Sequence, residues 1–398
     1  MSLNSRITFN LNKMAKEIKK KARVDIRPVA PVKSELRRYV QFGIDLYHGN
    51  PYYVPPLVFD DINTLTPGKN PALDFCKAQS FMAYRDGVPV GRITAIINSR
   101  FNKKTGKKVC RFGFMDFIDD NEVVDALFKA AEVWGLHNGM DTLTGPMGFT
   151  DMDPEGMLIE GFEELGTMAT IYNYPYYRKH MERLGFAKEA DWVEYRITVP
   201  DKIPDKYMRI ADIVRRKFNL HVVDIKSRKW IKANYGQEIF RLINESYRDL
   251  FGFVELTPKQ INYYIDMYLD MLRLDDLCLI AEEDGTLVGV GISMPSLSKA
   301  LQRCEGKLFP TGWYHVLRAI KGASDVVDLM LVAIRPDYQG KGVNALLFSY
   351  LIPNYVKNGY KFAESNVELE GNANVQKQWE YFERRQHRRR RAWTKKIQ

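Results

Sequence analysis

The chain has 398 residues, 45% hydrophobic and 27% charged, with 22 Tyr and 21 Phe, which excludes wholesale disorder and calls for two or three domains, each with its own core. No apolar run approaches the roughly 18 to 20 residues that cross a bilayer, and the Lys-rich start lacks the apolar stretch of a signal peptide; the expected place is the cytoplasm, with a peripheral membrane role left open. The net charge is +10, and the stretch from Glu383 to Gln398 carries six Arg and two Lys against one Glu. That local patch suits an anionic membrane surface, an acidic carrier, nucleic acid or the phosphates of a cofactor, or else a solvated edge strand kept soluble by its arginines. Cys76, Cys110, Cys278 and Cys304 are far apart with no C-x-x-C pair; they read as reduced core thiols, with neither disulfide nor metal expected.

Residues 1–23 read as a basic N-terminal segment. A helix and then a Pro- and Tyr-rich loop follow through "ELRRYVQFGIDLYHGNPYYVPPL". "QSFMAYRDGVPVGRITAIIN" is a hairpin turning at Asp86-Gly87, "RFGFMDFID" alternates as a third strand, and Glu122 to His137 repeats its apolar residues at helical spacing. "MDTLTGPM" reads as a fourth strand and "YPYYRKHMERLGF" as a second helix. The order then recurs. A strand "HVVDI", helices "GQEIFRLINESYRDL" and "TPKQINYYIDMYLDML", and a hairpin "LCLIAEEDGTLVGVGISMP" turning at Asp284-Gly285 are followed by the strand "DVVDLMLVAI" and a helix after Gly342. The strand "KFAESNVEL", a helix over "ANVQKQWEYFERR" and a basic last strand "RRAWTKKI" complete the chain. RDGVPVGRITAI aligns with EDGTLVGVGISM, and FGFMDF with DLMLVAI, at a spacing of roughly 200 residues; this is an internal duplication into 24–200 and 201–398 rather than a solenoid.

The chemistry concentrates in "VAIRPDYQGKGVNALLFSYL". A glycine-rich turn that opens a helix exposes backbone N–H groups at the positive end of the helix dipole, where a phosphate binds favourably. The G-x-x-x-x-G-K-[ST] spacing is absent, and the turn lacks the third glycine and later acid of a dinucleotide fold. It resembles the pyrophosphate loop of the GNAT (Gcn5-related) acyltransferases, [Q/R]-x-x-G-x-[G/A] after a strand ending in V-x-P. Gln339 and Gly342 stand at the first two defined positions, Ile334-Arg335-Pro336 at the V-x-P, and Asn344 replaces the last small residue. The order of elements around the loop resembles the family along roughly 180 residues.

The resemblance implies an α+β fold of two GNAT-like domains, each a mixed, mainly antiparallel sheet flanked by helices. It also implies acetyl-CoA or a longer acyl-CoA as donor, held where two strands splay apart. Backbone groups of Val332 and Ile334 would contact it, Gln339, Gly340, Lys341, Gly342, Val343 and Asn344 would wrap its pyrophosphate, and Asn372 would begin the last helix beside it. The activity implied is direct attack of an amine on the thioester, with positioning and polarisation supplied by the protein. In the family pattern N-x-x-A-x-x-x-Y-E, Asn372, Val375, Trp379 and Glu380 occupy the defined positions. Trp379 cannot protonate a thiolate, so Tyr381, water or another side chain must; packing on the final strand is the other reading of Tyr381. Asp328 and Glu364, on the strands flanking the cleft, are the candidate bases.

In the first half, "FIDDNEVVDAL" puts Asp119, Asp120 and Glu122 where the loop glycines stand, which would repel a pyrophosphate. One cofactor site is therefore expected, in the C-terminal domain. The acid- and aromatic-rich insertion Gly145 to Tyr177 is a candidate acceptor region or a structural cap. The partner expected is a small-molecule or lipid amine, including a long-chain base acylated at a membrane surface. A Fem-like transferase using aminoacyl-tRNA is disfavoured by the intact Q-x-x-G motif, as is a nucleic acid partner generally. A non-catalytic acyl-CoA-binding protein is the reading from another class.

Overall fold

The computed structural model describes residues 23–269 and 271–398; nearly all of the basic N-terminal segment lies outside them. The described chain forms two compact units that do not follow the sequence halves: 23–191 with 301–310 and 389–398, and 192–300 with 311–388.

In the first unit, β1 (Asp25–Val29), β2 (Cys76–Arg85), β3 (Val88–Asn98) and β4 (Val109–Phe117) are antiparallel neighbours, and β4 runs parallel to β5 (Thr142–Gly145). β2 and β3 turn at Asp86 and Gly87 with φ of 51° and 77°, the left-handed pair that matches strand twist. β6 (Met157–Glu160) lies in the insertion. Helix α1 (Lys33–Leu46) buries Leu36, Tyr39 and Val40 against Met82 and Ile96. Helix α2 (Asn121–His137) buries Val123, Leu127 and Phe128 with Ile93 and Phe112. Helix α3 is Tyr176–Arg183.

In the second unit, β8 (His221–Val222), β9 (Leu277–Ala281), β10 (Leu287–Pro295) and β11 (Val326–Ile334) are antiparallel neighbours, and β11 runs parallel to β12 (Phe362–Glu364). β12 and β13 (Glu368–Leu369) pair with residues 192–198 of β7 (Ala187–Thr198). α4 (Asp205–Phe218) and α7 (Asn344–Lys357) share one core with β9, β10 and β11 through Tyr207, Ala211, Val214, Leu346 and Leu347. α5 (Gly236–Tyr247) contacts β10 and β11, and α6 (Gly312–Arg318) comes before β11. The mixed sheets and flanking helices agree with the α+β expectation.

Three local expectations need correction. "HVVDI" forms only a two-residue strand. The helix expected over "ANVQKQWEYFERR" is α8 (Ala373–Lys377), and the last strand, β14, already starts at Arg384 and runs to Lys396. A side-chain cap from Asn372 to the Val375 N–H starts α8, but Trp379 and Phe382 turn into the core and end it early.

The basic stretch is no solvated edge. In the first unit residues 393–396 pair with β5, and residues 389–391 with β6. Arg391 binds Asp191 at 2.7 Å, Lys395 binds Glu132 at 2.7 Å and Lys396 binds Asp141 at 3.0 Å. In the second unit Arg388 is buried beside Glu194 and Glu364. Alternation along a strand turns half of an arginine run inward, and burial then demands anionic partners.

The first unit also closes its own version of the cleft. β4 pairs with β5 only over Val109 to Arg111, so the rest of β4 has an open edge. The Phe117 N–H donates to the Tyr177 hydroxyl at 2.9 Å, Tyr176 donates to the Phe117 carbonyl at 2.6 Å, and the Tyr177 ring stacks on Phe117 at 4.0 Å. Tyr47 donates to Asp116 at 2.8 Å and lies 2.9 Å from the Tyr177 hydroxyl. Tyr177→Phe should therefore leave a buried N–H unsatisfied and lower stability by about 1–3 kcal/mol, read as a lower urea midpoint at unchanged m-value; an unmoved midpoint would remove the plug role.

Candidate active site

In the second unit the same divergence stays open. β11 pairs with β12 over Val326↔Phe362, Val327↔Ala363 and Asp328↔Glu364 only, while β11 continues to Ile334. Beyond the fork Asn366, held at φ 55°, donates from Nδ2 to the Leu329 carbonyl at 2.8 Å. The Arg335 N–H reaches the Val288 carbonyl on β10 at 2.8 Å, and alternation then turns the polar groups of Val332 and Ile334 to the other edge, where β12 has ended. Two side chains at the end of α5 meet the carbonyls there. Tyr247 donates to Val332 at 2.9 Å and Ser246 donates to Ile334 at 2.8 Å. Both of these bonds go to carbonyls, and the N–H groups of Val332 and Ile334 on the same edge are the donors an extended ligand would use.

The glycine turn follows directly. Gly340 and Gly342 have φ of 72° and 84°. A Cβ on Gly340 would meet nothing within 4 Å, whereas one on Gly342 would lie 2.9 Å from Ile210 Cγ2. Gly340 is thus the open side of the turn and Gly342 the side packed on α4. Gln339 donates from Nε2 to the Ile334 carbonyl at 3.0 Å, folding the turn back on the strand. Asn344 donates to Gln378 Oε1 at 3.0 Å, tying the helix start to the segment after α8. Val343, the residue before α7, supplies no side-chain cap; the Ala345 and Leu346 N–H groups turn back to the Gly342 and Val343 carbonyls at 3.0 and 2.9 Å, so an outside anion would be met by the N–H groups of the turn ahead of them.

The cations beside the turn differ. Arg335 is held by Glu282 and Asp337 at 2.9 and 2.7 Å. The Lys341 ammonium lies over the rings of Phe218 and Tyr338, 5.5 and 5.3 Å from their centroids, and no ion pair engages it among the described residues. The turn thus offers backbone donors, a helix N-terminus and one cation held by rings, which suits a pyrophosphate. The first unit inverts this arrangement: Asp120 itself caps α2, accepting from the Glu122 and Val123 N–H groups, and Arg85 binds it at 2.7 Å.

At the fork, Asp328 and Glu364 face different surroundings. Glu364 meets Arg388 at 3.0 Å, His387 at 2.9 Å and Arg196 at 3.3 Å. Arg388 also donates from Nε to Glu194 at 2.7 Å. Asp328 is buried, and its Oδ1 has no hydrogen-bond partner among the described residues. Burial, with the charge of Glu364 next, pushes its pKa up to about 7, opposed by a Ser296 hydrogen bond and the charge of Arg388.

The other candidates have the following surroundings. Trp379 is buried and donates from Nε1 to Glu368 at 2.7 Å. Tyr381 is half-exposed, packs edge-on against Tyr207 at 5.8 Å and meets Lys206. Asn372 caps α8. Burial raises the pKa of Asp151, Asp153 and Glu155 in the insertion. Sequence reading missed Tyr247, whose place on an amphipathic helix looked like packing, and Arg388, whose run of arginines looked like surface.

Over residues 237–384 the chain matches the Acetyltransferase (GNAT) family. It is 29% identical over 371 residues to Protein YghO of Escherichia coli (strain K12), covering 92% of this chain and 94% of that protein. It is 30% identical over 302 residues to the bacterial ceramide synthase of Caulobacter vibrioides (strain NA1000 / CB15N), covering 74% and 76% respectively. In fold it is similar to a tandem GNAT protein from the clavulanic acid biosynthesis pathway, with a TM-score of 0.55 at 11% identity over 94% of this chain and 98% of that one.

The Asp328 environment has a stability signature. Its folded pKa lies above the unfolded value, so the stability present while both states are protonated is lost as pH rises through about 7. Asp328→Asn removes that loss. Denaturant unfolding of both proteins should show the variant gaining stability relative to the parent as pH rises from the ordinary carboxylate range to about 8; a constant difference would mean that Asp328 is solvated.

Proposed function

Because the chain belongs to the tandem members of the GNAT acyltransferase superfamily, we propose that its second unit moves an acyl group from a coenzyme A thioester to a primary amine. The observation that carries this reading is the combination, on one strand and the turn after it, of an open β edge, a glycine turn with no side-chain cap before α7, and a buried carboxylate with one oxygen that has no hydrogen-bond partner among the described residues. A bound acyl-CoA supplies an activated acyl carbonyl with a thiolate leaving group.

The turn Gln339 to Asn344 binds the pyrophosphate through backbone donors, with Lys341 as counter-charge. The N–H groups of Val332 and Ile334 orient the extended arm along β11. Asp328 takes the proton from the ammonium of the acceptor, since its pKa near 7 leaves a share of it ionised at neutral pH. The amine then bonds to the acyl carbon as the C–S bond breaks. Tyr247 brings a phenol to the open edge, gives its proton to the departing sulfur and regains one from the nitrogen as the amide forms. Arg388 fixes Glu364 and Glu194, which keeps the neighbouring carboxylate next to Asp328 in place.

For the acceptor, the similarity to the bacterial ceramide synthase favours a long-chain base over a small polar amine. Release of coenzyme A from palmitoyl-CoA with sphinganine as acceptor tests the reading, with a small polar amine run in parallel. Release with neither, despite tight binding, would leave a binding protein.

Two variants separate binding from chemistry. Gly340→Asp puts a charge into the open side of the turn in a conformation that Asp tolerates, and Gly340→Asn is its neutral control. Calorimetry should find acyl-CoA affinity at least tenfold lower for Asp than for Asn; equal affinities would move the pyrophosphate elsewhere. Asp328→Asn should retain binding and lose about 10²–10⁴-fold in kcat, and the parent's kcat/KM should rise with pH through about 7. Retained turnover would take the base role from Asp328.

A further inference from the structure

Large apolar side chains exposed to solvent are scattered over the described residues, with one exception. Trp313, Tyr314 and Leu317 are exposed by 50%, 49% and 39% within five consecutive residues. All three lie on α6, where Gly312 and Val316 turn inward. Positions 313 and 317 fall one turn apart on the same face, with 314 flanking them. The Trp313 and Tyr314 rings meet edge-on at 6.2 Å, and the Arg318 guanidinium lies 5.9 Å from the centre of the Tyr314 ring.

Within this segment the charge has one sign. From Leu308 to Ser324 the sequence contains Arg318, Lys321 and His315 and no Asp or Glu. Trp and Tyr with an apolar body and a polar tip, beside Leu and a rim of cations, match the boundary between lipid headgroups and acyl chains. A protein partner recognised through this face would be expected to meet acids as well as bases on its rim. The Arg-rich C-terminal stretch offers a poorer membrane contact, because Arg388, Arg391, Lys395 and Lys396 already bind carboxylates inside the protein. No described helix is long and apolar enough to cross a membrane, so the contact is interfacial.

We propose that α6 is a membrane-docking face that inserts Trp313, Tyr314 and Leu317 into the interface of an anionic bilayer, with Arg318 and Lys321 on the headgroups. The proposal is independent of the acyltransferase reading. It places the protein on a lipid surface whatever reaction it catalyses there.

Sedimentation of the full chain with vesicles of phosphatidylethanolamine and phosphatidylglycerol, and separately with pure phosphatidylcholine, tests it. The parent should pellet with the anionic vesicles and at least several-fold less with phosphatidylcholine. The double variant Trp313→Ser/Leu317→Ser should lose roughly tenfold in partitioning while keeping a cooperative thermal unfolding transition, since neither side chain belongs to a core cluster. Arg318→Glu/Lys321→Glu, which leaves the apolar face intact, should abolish the preference for anionic lipid. In addition, vesicles should shift the tryptophan emission of the parent to the blue, and that shift should vanish in Trp313→Phe. Equal pelleting of the parent and the double variant, absence of pelleting by the parent, or an emission shift that survives Trp313→Phe would each overturn the proposal.

Discussion

Everything at the candidate site depends on one event in the second sheet: β11 loses its parallel neighbour after Asp328 and Glu364. A strand edge in a protein interior must find partners for its backbone groups. The two units resolve this differently. In the first, Tyr176 and Tyr177 satisfy both the carbonyl and the N–H of Phe117 and fill the gap with stacked rings. In the second, Tyr247 and Ser246 donate to the carbonyls of Val332 and Ile334. The register makes the contrast specific: Phe117 pairs with Gly91 as Ile334 pairs with Gly289. One position in the fold is sealed in one copy and left as a donor row in the other.

The turn after the strand follows the same division. The start of a helix attracts negative charge through its free N–H groups and its dipole. Asp120 provides that charge within the first unit, and Arg85 balances it. Before α7 the capping position is Val343, and the glycines before it leave room for a ligand's own charge. An anion bound there replaces a missing side chain rather than displacing one.

How much of this was legible in the sequence depended on the range of the interaction. Both hairpins were readable at Asp86-Gly87 and Asp284-Gly285, since left-handed turn residues act within four positions. The glycine turn and the acids that replace it in the first half were readable for the same local reason. The extent of α8 was not, because Trp379 and Phe382 leave the helix for a core supplied by distant elements. β7 was overlooked because its charged residues mask the alternation, and Glu194 is matched by Arg388, 194 positions away. A run of arginines looks like surface until the anions that neutralise it are located, and those come from β7 and β12. Tyr247 belongs to the same class: periodicity put it on a helix, but only the strand facing it gives its hydroxyl a use.

The two carboxylates at the fork illustrate why burial alone does not make a base. Glu364 is held by Arg388 and Arg196, with the His387 ring beside it, so its oxygens are already engaged inside the protein. Asp328, its neighbour in register, has the charge of Glu364 beside it and one oxygen without a donor. Each cation drawn to Glu364 therefore shapes Asp328 twice over. It fixes the negative charge that raises the Asp328 pKa, and it leaves Asp328 as the member of the pair with a free lone pair for an ammonium. Removing Arg388 would disturb both effects together, because the second oxygen of Glu364 and the buried Glu194 would lose their shared partner. The arginine on the last strand thus belongs to the chemistry of the fork although it meets no substrate, and the sequence distance between Asp328 and Arg388 is spanned by the sheet itself.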